Sequence, residues 1–220
     1  MAYAAYVFDA YGTLFDVHAA VRKHAEKIGP EADRFSTLWR AKQLEYSWVR
    51  ALMNRYQDFW VLTEQALDTC FELIPSVDKS LRADLLDAYW KLDCYAEVPQ
   101  VLTALKASGA KLAILSNGSP AMLEAAAKAA GITDLLDEIF SVDTLRTYKT
   151  DERVYEMATT HFRIYPEAVS FQSSNRWDIA GATAFGFRTV WMNRYNMPDE
   201  YPDLSPAAVL ADLNGLTALV

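Results

Sequence analysis

Apolar side chains change their spacing twice along this chain. At the start, Ala4-Ala5-Tyr6-Val7-Phe8 form an unbroken apolar run that stops at Asp9 and is followed by Tyr11-Gly12-Thr13, the pattern of a buried strand and then a turn. From about Val17 to Asp93 the spacing is helical: Leu62, Ala66, Cys70 and Ile74 recur four apart, as do Leu81, Leu85 and Tyr89, with no alternating segment between them. After Val98-Pro99 the texture alternates. A helix with Pro99 near its start and Gly109 just past its end precedes an apolar strand from Lys111 to Leu115, and Pro120 to Gly131 repeats the helix signal. Further strands are predicted at Ile139-Phe140-Ser141-Val142, Ala168 to Phe171 and Thr189-Val190-Trp191-Met192, separated by helices around Val154 to Thr160 and Ile179 to Phe185.

Strands alternating with helices of this length imply a parallel sheet with helices on both faces. The expected fold is therefore α/β: a doubly wound, Rossmann-like core formed by residues 1–16 and 95–220, with an all-helical cap, residues 17–94, inserted after the first strand. No internal repeat, low-complexity tract or Pro/Gly-rich linker argues for a tethered neighbour instead. Sheets of this kind bind ligands beyond the carboxyl ends of their strands. Those ends carry Asp9, Ser116-Asn117 and Ser173-Ser174-Asn175, so three polar strand ends from distant parts of the chain are expected to share one crevice.

Composition narrows the chemistry. The 220 residues are 52% hydrophobic and 23% charged, which excludes a disordered or collagen-like chain, and the formal charge of −8 with no basic block speaks against nucleic acid. An anionic substrate must be held by a few local cations and dipoles, which makes individual Arg and Lys residues in apolar surroundings informative. Cys70 and Cys94 are too few for a disulfide framework and lack metal-ligand spacing. The opening MAYAAYVFD has no basic start and its apolar run is cut by Asp9, and no later segment approaches the ~18 apolar residues of a membrane span, so a cytoplasmic location without membrane contact is expected. There is no G-x-S-x-G, G-x-x-x-x-G-K-[ST] or G-x-G-x-x-G, and His18, His24 and His161 show no paired metal spacing and are expected at the surface or in packing.

Individually, the polar positions have ordinary readings. A strand-ending Asp commonly caps its own turn, Arg40 in Leu38-Trp39-Arg40-Ala41-Lys42-Gln43-Leu44 reads as a solvated helix cation, Ser116-Asn117 as a turn and helix cap, and Lys149 as a surface lysine. Together they read differently. Phe8-Asp9-Ala10-Tyr11-Gly12-Thr13-Leu14-Phe15-Asp16 resembles the nucleophile loop of the haloacid dehalogenase superfamily, and Leu115-Ser116-Asn117-Gly118, Tyr148-Lys149 and Ser173-Ser174-Asn175-Arg176-Trp177-Asp178 follow in matching order. Within the superfamily the pattern is similar to the L-2-haloacid dehalogenases, and the resemblance spans nearly the whole chain.

Superfamily members that hydrolyse phosphate esters place a second Asp two residues after the nucleophile as general acid, and a magnesium-binding acidic residue in a G-D-x-x-x-D motif. Here Tyr11 and Ser173-Ser174 stand at those places, leaving Asp178. A halide needs no proton to leave, so these changes suit displacement at a carbon alpha to a carboxylate, which needs a desolvated nucleophile, donors for the substrate carboxylate, a halide cradle and a base. The resemblance implies Asp9 as nucleophile, oriented by Thr13; Lys149 pairing with Asp9 and favouring its ionised form, supported by Tyr155; and Asp178, assisted by Ser173 and Asn175, activating water. It implies Arg40 and Asn117 holding the halide, Ser116 with backbone N–H groups near Ala10 and Tyr11 holding the carboxylate, and Tyr11, Leu44, Phe59 and Trp177 lining the substrate. Arg176 has no implied role and is expected at the surface. Thr150 replaces a proline usual after the lysine. The implied reaction is hydrolysis of short L-2-haloalkanoates to D-2-hydroxyalkanoates with inversion, through an aspartyl ester and without metal or organic cofactor, in a protein whose aromatic and apolar insertion is a possible homodimer face. The alternatives are a magnesium-dependent phosphatase and a non-catalytic binder of small carboxylates.

Overall fold

The computed structural model describes residues 3–219. Six strands, β1 (Ala5–Phe8), β2 (Lys111–Ser116), β3 (Glu138–Ser141), β4 (Val169–Ser173), β5 (Arg188–Met192) and β6 (Ala208–Leu210), form one sheet in the order β3-β2-β1-β4-β5-β6, every neighbouring pair parallel. β1 is central and buried at every residue, which is why it reads as an unbroken apolar run. The chain leaves β1 and returns by β2 on one side and β4 on the other, so the strand order reverses at β1 and opens a crevice beyond its carboxyl end.

Between β1 and β2 the chain is helical: α1 (Ala19–Arg22), α2 (Ala25–Ile28), α3 (Ala32–Leu52), α4 (Phe59–Leu73) and α5 (Arg82–Trp90). The 21-residue α3 packs along α4, and Asp58 starts α4 by accepting from the Trp60 N–H at 2.7 Å. A buried polar thread joins these helices: Trp39 Nε1 donates to the Thr63 carbonyl at 2.9 Å and Gln43 Nε2 to Thr63 Oγ1 at 3.1 Å. The connections into and out of this block run side by side, with a bridge between Phe15 and Cys94 and bonds from Asp16 N to Asp93 O (3.1 Å) and Tyr95 N to Leu14 O (3.0 Å).

The remaining helices, α6 (Val98–Ala107), α7 (Pro120–Ala129), α8 (Glu152–Phe162) and α9 (Arg176–Phe185), alternate with the strands. Val142 begins a 3-10 turn instead of continuing β3, because Ser141 Oγ caps that turn at the Asp143 N–H. β6 was not predicted: it is a three-residue edge strand with its middle residue exposed, too short for a periodicity to register. Arg176, expected at the surface, is 4% exposed. Its Nε meets Asp199 at 2.6 Å, its Nη2 donates to the Tyr201 and Leu204 carbonyls, and its guanidinium lies over the Trp191 and Tyr201 rings. Aromatic stacking and the bonds at Nε and Nη2 make that burial tolerable, although Nη1 is buried without a hydrogen-bond partner among the described residues. Among the described residues no helix is long and apolar enough to cross a membrane.

Candidate active site

Beyond β1, the Asp9 N–H extends the ladder to the Gln172 carbonyl at 2.8 Å, and the chain then turns tightly: the N–H groups of Thr13, Leu14 and Phe15 all converge on the Ala10 carbonyl. Gly12 makes the turn possible, with φ of +96° and a Ser174 Oγ 3.0 Å from where a Cβ would stand. The N–H groups of Ala10 and Tyr11 are absent from the loop's hydrogen bonds, although both residues are buried. Buried, unpaired donors beside a carboxylate suit a second anion.

Asp9 itself is 5% exposed. Its Oδ2 accepts from Thr13 Oγ1 at 3.0 Å and Asn175 Nδ2 at 2.8 Å, and its Oδ1 from Lys149 Nζ at 3.0 Å. Thr13 Oγ1 also lies 3.3 Å from Ser174 Oγ and accepts from the Ser174 N–H at 2.8 Å. One hydroxyl proton serves one acceptor, and the nearer, charged carboxylate is the stronger. Lys149 Nζ continues to Asp178 Oδ2 at 2.8 Å, whose other oxygen accepts from the Tyr155 hydroxyl at 2.9 Å. A single ammonium group, with no exposed side-chain surface and 5.2 Å above the Phe171 ring, thus bridges two carboxylates.

Burial and charge set the proton positions. Burial works to lower the Lys149 pKa, but Asp178 and Asp9 outweigh it and the net shift is upward. Burial pushes Asp178 up to about 6, with Asp9 adding to the rise and Lys149 and Tyr155 opposing it. Burial above all, then Asp178, raises the Tyr155 phenol, so it stays a hydrogen-bond donor.

Around this chain stand most of the other predicted residues. Ser173 Oγ accepts from the Asn175 N–H at 3.1 Å, steering the amide toward Asp9. Asn117 Oδ1 accepts from the Lys149 N–H at 3.0 Å, so its NH₂ points elsewhere and has no hydrogen-bond partner among the described residues. Ser116 Oγ accepts from the Gly118 N–H at 3.1 Å. Arg40, on α3, reaches across to donate to the Tyr11 carbonyl at 3.1 Å. Phe59 opens α4 and lies 6.2 Å, centroid to centroid, from the Tyr11 ring. Trp177 stands apart from the cluster: it meets Trp48 edge-on at 5.4 Å and lines a cavity of about 830 Å³ whose walls include none of Asp9, Tyr11, Arg40, Phe59 or Asn117. Leu44, one turn beyond Arg40, is half-buried and stands outside the hydrogen-bonded cluster.

Two neighbours escaped the sequence reading. Tyr89 stacks on Tyr11 at 5.8 Å and 14° and donates to Gln43 at 3.4 Å; its four-residue spacing signalled only core. Arg194, after β5, donates to the Thr13 carbonyl at 2.9 Å, and nothing in its local sequence marked it. The donor set does not suit a divalent cation: the only carboxylates of the cluster, Asp9 and Asp178, already share Lys149, and among the described residues no three His, Cys, Asp or Glu converge.

Known proteins resemble this chain over most of its length. The family described as haloacid dehalogenase-like hydrolase matches residues 3–186. The chain is 49% identical over 215 residues, 97% of its length and 95% of the relative's, to (S)-2-haloacid dehalogenase 1 of Pseudomonas sp. (strain CBS-3). It is 47% identical over 196 residues, 89% of its length and 85% of the relative's, to (S)-2-haloacid dehalogenase 4A of Burkholderia cepacia. Among solved structures, L-2-haloacid dehalogenase from Xanthobacter autotrophicus with chloropropionic acid covalently bound superposes with a TM-score of 0.88 at 35% identity, covering 100% of this chain and 98% of that one.

Proposed function

Because the chain belongs to the haloacid dehalogenase-like hydrolases, we propose that it hydrolyses short L-2-haloalkanoates to D-2-hydroxyalkanoates through an ester of Asp9. The observation that carries this reading is the Asp9–Lys149–Asp178 chain, in which one buried cation serves a nucleophile and a base.

In the first half-reaction a carboxylate oxygen of Asp9 attacks C2 from the side opposite the halogen, the C–O bond forms, the carbon–halogen bond breaks with its electron pair leaving on the halide, and C2 inverts. Thr13, Asn175 and Lys149 fix the carboxylate so that little reorganisation precedes attack. The Ala10 and Tyr11 N–H groups and Ser116 receive the substrate carboxylate. The Arg40 guanidinium and the Asn117 NH₂ receive the halide, a charge-assisted contribution of roughly 3–4 kcal/mol when such donors act only in the transition state. Tyr11, Phe59 and Leu44 enclose the alkyl end.

In the second half-reaction Asp178 takes a proton from water, the resulting hydroxide adds to the Asp9 carbonyl carbon, and collapse breaks the bond between that carbon and the ester oxygen. The departing alkoxide takes up the proton and C2 is not touched again. Neither half-reaction draws on a metal or an organic cofactor. The helical segment 17–94 serves as a cap that brings Arg40 and Phe59 over the core residues 1–16 and 95–220.

One assay tests the reading: chloride release from (S)-2-chloropropionate after exhaustive EDTA treatment, with a single turnover in H₂¹⁸O at excess enzyme. The expected result is D-lactate free of label and ¹⁸O in the peptide containing Asp9. Labelled lactate with unlabelled protein would replace the ester with direct attack by water, and magnesium-dependent release of phosphate without chloride release would overturn the assignment.

A further inference from the structure

We propose that Arg194 is a positioning residue for this reaction, acting through Thr13 on the Asp9 carboxylate; the proposal rests on the function proposed above. Arg194 lies two residues past β5, far along the chain from the loop it serves, with a side chain 9% exposed. Its guanidinium is used on three sides. Nη2 donates to the Thr13 carbonyl at 2.9 Å, Nη1 meets Glu97 Oε1 at 2.7 Å, and the plane lies 3.7 Å from the centre of the Tyr95 ring.

Thr13 is consequently pinned at both of its polar ends. Its carbonyl is held by Arg194; its hydroxyl accepts from the Ser174 N–H and donates to Asp9 Oδ2. A residue fixed at carbonyl and side chain has little freedom left, so the donor that orients the Asp9 carboxylate is set before substrate arrives. Arg194 is bonded to neither Asp9, Lys149 nor Asp178, and its charge is balanced by Glu97. Its influence is therefore geometric, through a planar guanidinium that donates to one carbonyl, pairs in charge with Glu97 and stacks on Tyr95 at once. Glu97 and Tyr95 belong to the return connection from the helical segment, and the Tyr95 N–H itself bonds the Leu14 carbonyl. Arg194 thus fastens the nucleophile loop to that connection.

The test is a double-mutant cycle of Arg194→Gln and Thr13→Ala, with Arg194→Lys beside it, measured as single-turnover ester formation from (S)-2-chloropropionate. Arg194→Gln is expected to slow ester formation by about tenfold to a hundredfold, with KM changed by less than about twofold. In the Thr13→Ala background the same substitution should cost little, because the hydroxyl it positions is gone. Arg194→Lys keeps the charge and loses the fork, so it should share most of the loss, and it carries the test if the Gln variant fails to fold. Additive losses, a full rate in Arg194→Lys, or a defect confined to KM would overturn the proposal. If the wild-type protein releases no chloride, the functional reading fails on its own. The positioning is then read from the ¹³Cγ resonance of Asp9: Arg194→Gln and Thr13→Ala should each shift it and the double variant should add nothing, whereas an unmoved resonance in Arg194→Gln overturns the proposal.

Discussion

Lys149 and Asp178 are buried ionisable groups whose pKa values both move upward, so each favours the fold on the acid side and gives up that stability as pH rises. For Lys149 the raised value stabilises the fold below its ordinary 10.5, and that stability is lost as pH rises through the higher folded value. For Asp178, held at about 6 against an ordinary 3.8, that stability is full below 3.8 and is lost as pH rises from there through about 6, leaving a constant cost above it. Activity runs the other way, since only ionised Asp178 can take a proton from water. Once Asp9 is esterified its charge no longer adds to the rise, so ester hydrolysis should fall only as pH drops below about 6, and Tyr155→Phe should move that limb to higher pH, because the phenol's hydrogen bond favours the carboxylate. Pre-steady-state decay of the ester against pH checks this; a limb unmoved in the Phe variant would detach Tyr155 from the base. Asp9, Lys149 and Asp178 were legible in sequence only through the resemblance of the short motifs that hold them, taken together and in order. Arg176 and Arg194 were not, because their hydrogen-bonded or charged partners lie 23 to 28 and 97 to 181 residues away respectively, and burial of a lone arginine leaves no periodic mark.

At the level of elements, α9 shows how closely the site's parts are packed. A Cβ on Gly181 would stand 2.6 Å from the Tyr155 hydroxyl and 2.8 Å from Thr150 side-chain carbons, so the absence of a side chain there lets α9, α8 and the Lys149 loop approach. Replacing a mid-helix glycine by alanine ordinarily gains about 0.5–1 kcal/mol. Here overpacking against the fully buried Tyr155 costs roughly 1–3 kcal/mol, and the clash should win. Gly181→Ala is expected to lower stability in urea by about 1 kcal/mol or more and to slow ester hydrolysis, since Tyr155 and Asp178 move together. A stabilised, fully active variant would show that the neighbours yield. Sequence placed a helix around Ile179 to Phe185, yet gave no reason for Gly181, because the atoms that exclude a side chain come from outside that helix. The alternation of apolar runs and helical spacing sufficed for five of the six strands, while β6, an edge of three residues, offered no period to read.

The whole molecule opposes its own substrate. A formal charge of −8 acts on a haloacid anion before any local donor can, while the charges at the site nearly cancel, Arg40 and Lys149 against Asp9 and Asp178. A chain of this length packs into a sphere of roughly 22 Å radius, for which the unscreened surface repulsion of one anion is about 1.5 kcal/mol. With Debye lengths of about 30 Å at 0.01 M and 8 Å at 0.15 M salt, that repulsion falls to about 0.9 and 0.4 kcal/mol. The difference corresponds to about a twofold change in encounter. We therefore expect kcat/KM for (S)-2-chloropropionate to rise about twofold between those ionic strengths, measured in a halide-free salt so that no added ion competes for Arg40 and Asn117, with kcat unchanged because the bound state is desolvated. Should kcat/KM fall instead, the field near the crevice is positive and Arg40 with the unpaired loop N–H groups steers the anion from outside.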